Sequence, residues 1–184
     1  ELSSTRKAPS EMQQSELTHF SLSLDDKREG EKTYFRSSFF VSSADVALKG
    51  LSYLLEALAK LRTERDVHLT IIGKPREGAS MDLIRSLGLL DCITFVSGVS
   101  DERIVELYAE SELAVVPSLY EGFSLPAIEA MSTGVCLVAT TGGALPEVVG
   151  VSGETGLLVT PNDPDALAGA IRNLLDDREL ADRL

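Results

Sequence analysis

From residue 35 onward, short and wholly apolar runs alternate with segments in which hydrophobic residues recur at helical spacing. An unbroken apolar run such as Leu113–Val116 is typical of a buried strand. The spacing of Leu51, Leu54, Leu55 and Leu58 is typical of an amphipathic helix. The predicted strands cover 39–41, 67–72, 92–96, 113–116, 136–140 and 156–159, and the predicted helices cover 49–62, 80–87, 101–110, 125–133, 145–149 and 163–175.

This strict alternation of strand and helix predicts consecutive βαβ units. Strands that are apolar on both faces are typical of a parallel sheet with helices on both sides. We therefore predict an α/β fold for residues 35–184, a Rossmann-like doubly wound parallel sheet of about six strands. Helix-end signals support these bounds, because Ser80, Ser100 and Asp163 are typical N-caps and Gly134 is a typical C-terminal glycine.

Residues 1–34 differ in character from the rest of the chain. They are polar and weakly periodic, which predicts a linker or arm that is partly disordered. Within this segment, 19–24 alternates polar and apolar residues and predicts an edge strand. At the other end, 178–184 predicts the beginning of a further helix. Because the first residue is Glu1 rather than methionine, we interpret the sequence as a domain excised from a longer protein.

Composition narrows the classes of function. The chain has 184 residues, 43% hydrophobic, and a formal net charge of −12, which argues against nucleic acid or an anionic membrane as a general partner. No apolar run is long enough to span a bilayer and no signal-peptide pattern opens the chain, so a cytoplasmic location is predicted. Cys92 and Cys136 open apolar runs and are expected to be buried thiols.

Candidate functional residues fall where the predicted strands end. Gly73, Gly98, Glu121 and the pair Gly142–Gly143 follow four of the strands, and Lys49 follows the first. Parallel sheets of this kind bind ligands outside the carboxyl ends of their strands. We therefore expect these residues to meet along one edge of the sheet.

The chemistry of this edge suits a phosphate and a diol. The segment 122–125 opens a helix and offers backbone N–H groups to a phosphate, and Lys49 offers a positive charge. Carboxylates such as Glu121 and Glu129 accept hydrogen bonds from vicinal hydroxyls. Two interpretations stay open for each of two residues: Glu129 binds ligand or lies on a solvent stripe of its apolar helix, and Lys49 binds ligand or is a surface lysine. A phosphate together with diols describes a nucleotide sugar.

Other familiar site patterns are absent from the sequence. There is no GxGxxG fingerprint after the first strand, no GxSxG elbow and no GxxxxGK[ST] loop. His19 and His68 are the only histidines, and neither sits in a metal-binding pattern. The sequence gives no support for dinucleotide, hydrolase or zinc chemistry.

An ordered set of motifs carries a family resemblance. The set is Lys49–Gly50, Ile72–Gly73, Phe95 with Gly98, Pro117–Ser118, Glu121–Gly122–Phe123, the run 127–131 with Gly134, Gly142–Gly143, Pro146–Glu147 and the run 156–159. With these motifs the chain from about residue 38 to 184 resembles the C-terminal, donor-binding domain of retaining glycosyltransferases of the GT-B architecture. Glu121 and Glu129 match the E-x7-E signature of that group.

The resemblance implies a role for each matched residue. It implies that Glu121 is catalytic and contacts the donor sugar, that Glu129 binds the ribose, and that Lys49 clamps the diphosphate. It further implies donor-binding positions at Gly73, Gly122, Phe123, Ser124 and Leu125. Such enzymes need neither a metal nor another cofactor, and an N-terminal domain outside this chain binds the acceptor. The resemblance is also compatible with a peripheral contact between the full enzyme and a membrane.

Two positions depart from the pattern of related sequences. The stretch 42–46 lacks the arginine that usually precedes the Lys-Gly pair, and Arg76 is a candidate substitute. Ser124 stands where a glycine is frequent. Two other functions are alternatives: a nucleotide-sugar-binding module without catalysis, and a flavodoxin-like receiver domain, for which Asp45 alone gives little support.

Overall fold

The computed structural model describes residues 37–42 and 47–184. The predicted arm at 1–34, its edge strand and the segment 43–46 lie outside the described residues, so the boundary near residue 34 stays a prediction. The strands are β1 Ser37–Ser42, β2 Val67–Ile72, β3 Ile93–Val96, β4 Leu113–Val116, β5 Cys136–Thr140 and β6 Leu157–Val159. The α-helices are α1 Leu51–Arg62, α2 Ala79–Ser86, α3 Asp101–Ala109, α4 Leu125–Thr133, α5 Leu145–Val149, α6 Pro164–Asp176 and α7 Arg178–Arg183.

All neighbouring strands pair in parallel and form one six-stranded sheet in the order β3-β2-β1-β4-β5-β6. This is the strand order of a doubly wound Rossmann sheet, and it confirms the predicted fold class. A receiver domain has the order 2-1-3-4-5, so the flavodoxin-like alternative is wrong. The order reverses between β1 and β4, and ligands of such sheets bind in the crevice at that switch point.

Helices cover both faces of the sheet, as the apolar strands predicted. Along β4, Leu113 and Val115 pack with α1, α2 and α6, whereas Ala114 and Val116 pack with α3, α4 and α5. Successive side chains of a strand point to opposite faces, so β4 is buried on both. Because helices cover both faces of the sheet, a ligand can reach it at the loops that follow the carboxyl ends of the strands.

The predicted strands and helices are present, with ends that differ from prediction by one or two residues. Ser100 and Asp163 cap α3 and α6 by accepting from Arg103 N and Ala166 N, as expected. The prediction for Ser80 was wrong. The residue before α2 is Gly78, which makes no side-chain cap, and the helix already begins at Ala79.

Two further expectations concern burial and membranes. Cys92 and Cys136 are buried thiols, as predicted, and burial raises the pKa of the Cys136 thiol. Among the described residues, no helix combines the length and the hydrophobicity needed to cross a bilayer.

Candidate functional site

The loop after β4 is held in place by close contact with two neighbouring turns. A Cβ added to Gly50 would lie 1.9 Å from the carbonyl oxygen of Pro117, and one added to Gly143 would lie 2.2 Å from that of Glu121. Both glycines also have positive φ, 68° and 66°, which other residues adopt only with strain. These glycines therefore let the turn after β1 and the turn after β5 press directly against the β4 loop.

Glu121 is the buried carboxylate of this loop, with only 6% of its surface exposed. Its Oε1 atom accepts a hydrogen bond from Lys49 Nζ at 2.6 Å and another from Ser118 Oγ at 2.7 Å. A carboxylate removed from water needs such partners. Among the described residues, none donates to its Oε2 atom. One oxygen is thus held by two side chains, and the other has no donor among the described residues.

Lys49 lies at the end of a short 3-10 helix, Ala47–Lys49, directly before Gly50. Its side chain is only 28% exposed and forms the ion pair with Glu121 across the switch point. The alternative of an ordinary surface lysine does not describe this geometry. The positive charge instead lies between the turn after β1 and the loop after β4.

Ser124 acts as the N-cap of α4. Its Oγ atom accepts from Ala127 N at 3.4 Å, and the side chain is fully buried. Its backbone angles, φ −103° and ψ 94°, are extended, so a serine fits here without strain although a glycine is frequent at this position. The hydroxyl is therefore used by the helix and is not directed at a ligand.

Three backbone N–H groups before and at the start of α4 have no acceptor among the described residues. Phe123, Ser124 and Leu125 donate from the backbone to no described residue. The side chains of Phe123 and Leu125 are 64% and 60% exposed on either side of the buried cap. Gly122 has no positive φ, and a Cβ there would meet nothing within 4 Å. The turn therefore does not itself require a glycine at this position.

Glu129 lies one turn into α4 and is half-buried. The hydroxyl of Tyr108, at the end of α3, donates to its Oε2 atom at 3.2 Å. The carboxylate borders a cavity of about 150 Å³ between α3 and α4. Glu129 therefore does not lie on a plain solvent stripe, because it is anchored to a neighbouring helix.

The structure unites some of the predicted site residues and keeps others apart. Lys49 and Glu121 are in direct contact, whereas no contact joins Glu129 to either of them. Gly73 lies at the end of β2 and donates from its N–H to Val96 O at 2.8 Å. Arg76 is exposed in the loop before α2 and contacts none of the described site residues. The stretch in which the usual arginine is missing falls mostly outside the described residues.

Two residues of the site escaped sequence reasoning. Ser118 could have been found, because a serine three residues before a buried glutamate in a tight loop is a natural donor. Tyr108 gave no such signal, since it lies on a different helix and the packing of α3 on α4 brings it to Glu129. Burial, together with the nearby Glu129 carboxylate, raises the pKa of Tyr108 far above its ordinary value, so the hydroxyl keeps its proton.

Comparison with known proteins places this chain in a family. Residues 25–184 match the sequence profile described as glycosyl transferases group 1. The chain belongs to this family. It is 53% identical over 142 residues to an MMP alpha-(1->4)-mannosyltransferase of Mycolicibacterium hassiacum, a match that covers 76% of the chain and 34% of the relative. The chain spans about a third of the length of the curated relatives that it matches.

Solved structures show the same architecture, that of GT-B glycosyltransferases. The C-terminal domain of a glycosyl transferase group 1 family protein from Francisella tularensis superposes with a TM-score of 0.68 at 28% identity, covering 80% of this chain and 79% of that one. Anabaena HepE in complex with UDP gives a TM-score of 0.72 at 26% identity, covering 80% and 41%. The chain thus corresponds to the C-terminal domain within this architecture.

Proposed function

We propose that this chain is the donor-binding domain of a retaining glycosyltransferase that takes its sugar from a nucleotide diphosphate sugar. The observation that carries the proposal is the Lys49–Glu121 ion pair at the β1/β4 switch point, directly beside the start of α4. A cation, a buried carboxylate and a helix N-terminus meet there at the edge where sheets of this order bind ligands.

The diphosphate binds at the start of α4. The N–H groups of Phe123 and Leu125 supply hydrogen bonds, and the helix dipole favours the negative charge. Pro126 has no N–H to offer, so the cradle ends at Leu125. Lys49 binds the phosphates from the opposite side. These groups stabilise the charge that develops on the departing diphosphate, and this stabilisation takes the place of a divalent ion.

The two carboxylates bind the two sugars of the donor. Glu121 holds the hydroxyls of the transferred sugar through its open Oε2 atom and so orients the anomeric carbon for reaction. Glu129 has its Oε2 atom anchored by Tyr108, and its Oε1 atom accepts from no described residue, which leaves it for the ribose diol. UDP bound to the related HepE structure supports a nucleoside diphosphate as the common ligand.

The acceptor is bound by a part of the longer protein outside this chain. Support comes from exposed apolar side chains around the site, since such a cluster is typical of a surface that another domain covers. The cluster consists of Leu48, Tyr120, Phe123 and Leu125. The 184-residue chain should therefore bind the donor and fail to transfer its sugar, and the whole enzyme is proposed to work in the cytoplasm.

Calorimetric titration of the chain with UDP, GDP and ADP tests the proposal. At least one nucleotide should bind, and Glu129→Ala should weaken it about 10–150-fold, because a hydrogen bond to a charged group is worth about 1.5–3 kcal/mol. Glu154→Ala is the matched control, since Glu154 is exposed in the loop before β6. Failure of all three nucleotides to bind at millimolar concentration would contradict the proposal.

A further inference from the structure

The tyrosine that contacts Glu129 is buried between α3 and the sheet. Tyr108 has 1% of its surface exposed, and its ring belongs to the core beside Ala127 and Ala130 of α4. Tyr108 also borders the cavity between α3 and α4, which Glu129 lines as well. The ring is thus fixed by packing, and the position of the hydroxyl is fixed with it.

This hydroxyl has one proton, and two acceptors of the described part of the chain lie within reach of it. Glu129 Oε2 and Pro126 O both lie 3.2 Å from the Tyr108 oxygen. The carboxylate is the stronger acceptor because it is charged. Pro126 O lies in the first turn of α4, where the helix supplies a backbone N–H from the next turn. The proton therefore serves chiefly the carboxylate.

Holding one oxygen restricts where the other can point. A glutamate side chain has several rotamers, and freezing them on binding costs free energy. Because Oε2 is fixed to a rigid phenol, the Glu129 side chain is already partly ordered before a ligand binds. Binding therefore costs less side-chain entropy. We propose that Tyr108 is the positioning residue that holds Glu129 in the orientation that receives the ribose hydroxyls. This inference rests on the proposed function.

The positioning role can be separated from the packing role of the same side chain. Tyr108→Phe keeps the ring in the core and removes only the hydroxyl. A packing defect would weaken every ligand alike. Lost positioning would weaken only ligands that have ribose hydroxyls for Glu129 to meet.

The experiment measures the affinity of the chain for UDP and for 2′,3′-dideoxyuridine diphosphate, with the guanosine pair run in parallel. The variants are Tyr108→Phe, Glu129→Ala and the double variant, and Tyr53→Phe on α1 is the control. Tyr108→Phe should weaken the ribonucleotide about 3- to 10-fold and the dideoxy analogue less than about 2-fold. In the Glu129→Ala background, Tyr108→Phe should have no further effect.

The outcomes separate the two proposals. Suppose the unsubstituted chain prefers the ribonucleotide through Glu129, and Tyr108→Phe leaves that preference intact. Then the positioning role is wrong and the proposed function stands. Equal weakening of both ligands would likewise assign Tyr108 to packing alone. No nucleotide binding by the unsubstituted chain would overturn both proposals.

Discussion

Replacing Glu121 by glutamine probes the ion pair at the centre of the site. Glutamine keeps the shape of the side chain and an oxygen that can accept from Ser118, so the loop should stay folded. What changes is the charge. Lys49 keeps an oxygen that can accept its hydrogen bond but loses the negative charge of its partner, and its 28% exposure lets water solvate part of the ammonium group.

The expected effect has opposite signs for two ligands. A plain nucleoside diphosphate should bind more tightly, because Lys49 no longer divides its charge between Glu121 and the phosphates, and because a negative charge near the phosphates is gone. At a separation of about 6 Å and an effective dielectric of about 40–80, that repulsion is about 0.7–1.4 kcal/mol, or about 3- to 10-fold in Kd. The nucleotide sugar should lose this advantage, because its sugar hydroxyls give up a charged acceptor worth about 1.5–3 kcal/mol.

Isothermal titration of both ligands against both proteins measures this difference. In the variant, the affinity for the nucleotide sugar should fall relative to the affinity for the nucleoside diphosphate. The melting temperature of the variant should stay near that of the unsubstituted chain. Equal weakening of the diphosphate and the nucleotide sugar would refute the reasoning, because it would mean that Glu121 only supports the loop. A diphosphate affinity that does not change would show that Lys49 takes no part in phosphate binding.

Two further substitutions test the architecture of the site by urea denaturation. Gly50→Ala should lower the free energy of unfolding by more than about 3 kcal/mol, since it adds a clash with Pro117 O to the cost of positive φ. Gly134 has a similar φ but open space around it, so Gly134→Ala should lower the free energy of unfolding by only about 1 kcal/mol. Equal losses in the two variants would contradict the close approach of Gly50 to Pro117. Ser124→Ala should cost about 1 kcal/mol through the lost cap of α4, and a variant as stable as the parent would mean that the hydroxyl does not cap.

The parts of the fold that follow from local pattern were predictable. Continuous apolar runs gave the strands, and the caps Ser100 and Asp163 gave two helix starts, because each signal lies within a few residues of its effect. The order of the strands was not predictable in the same way, since alternation implies parallel pairing without stating which strands are neighbours. Ser80 misled because glycine and alanine just before it allow the helix to begin earlier.

In the site, too, some features could be predicted from local sequence and others depend on tertiary packing. That Lys49 and Glu121 share an edge followed from the rule that parallel strands end together, but their ion pair joins residues 72 positions apart and depends on two loops touching. The contact of Tyr108 with Glu129 depends on how α3 packs on α4, which local sequence does not record. The hydroxyl that Ser124 brings in place of the frequent glycine caps the helix that follows it, a use that depends on where that helix begins.

The most direct test of a nucleotide-sugar site at the β1/β4 switch point is a crystal structure of the chain soaked with the nucleoside diphosphate that binds it best. The diphosphate should lie within hydrogen-bond distance of Leu125 N and Lys49 Nζ, with the ribose hydroxyls on Glu129 Oε1. A nucleotide bound elsewhere on the domain, with the Lys49–Glu121 pair undisturbed and the start of α4 empty, would contradict the proposed site.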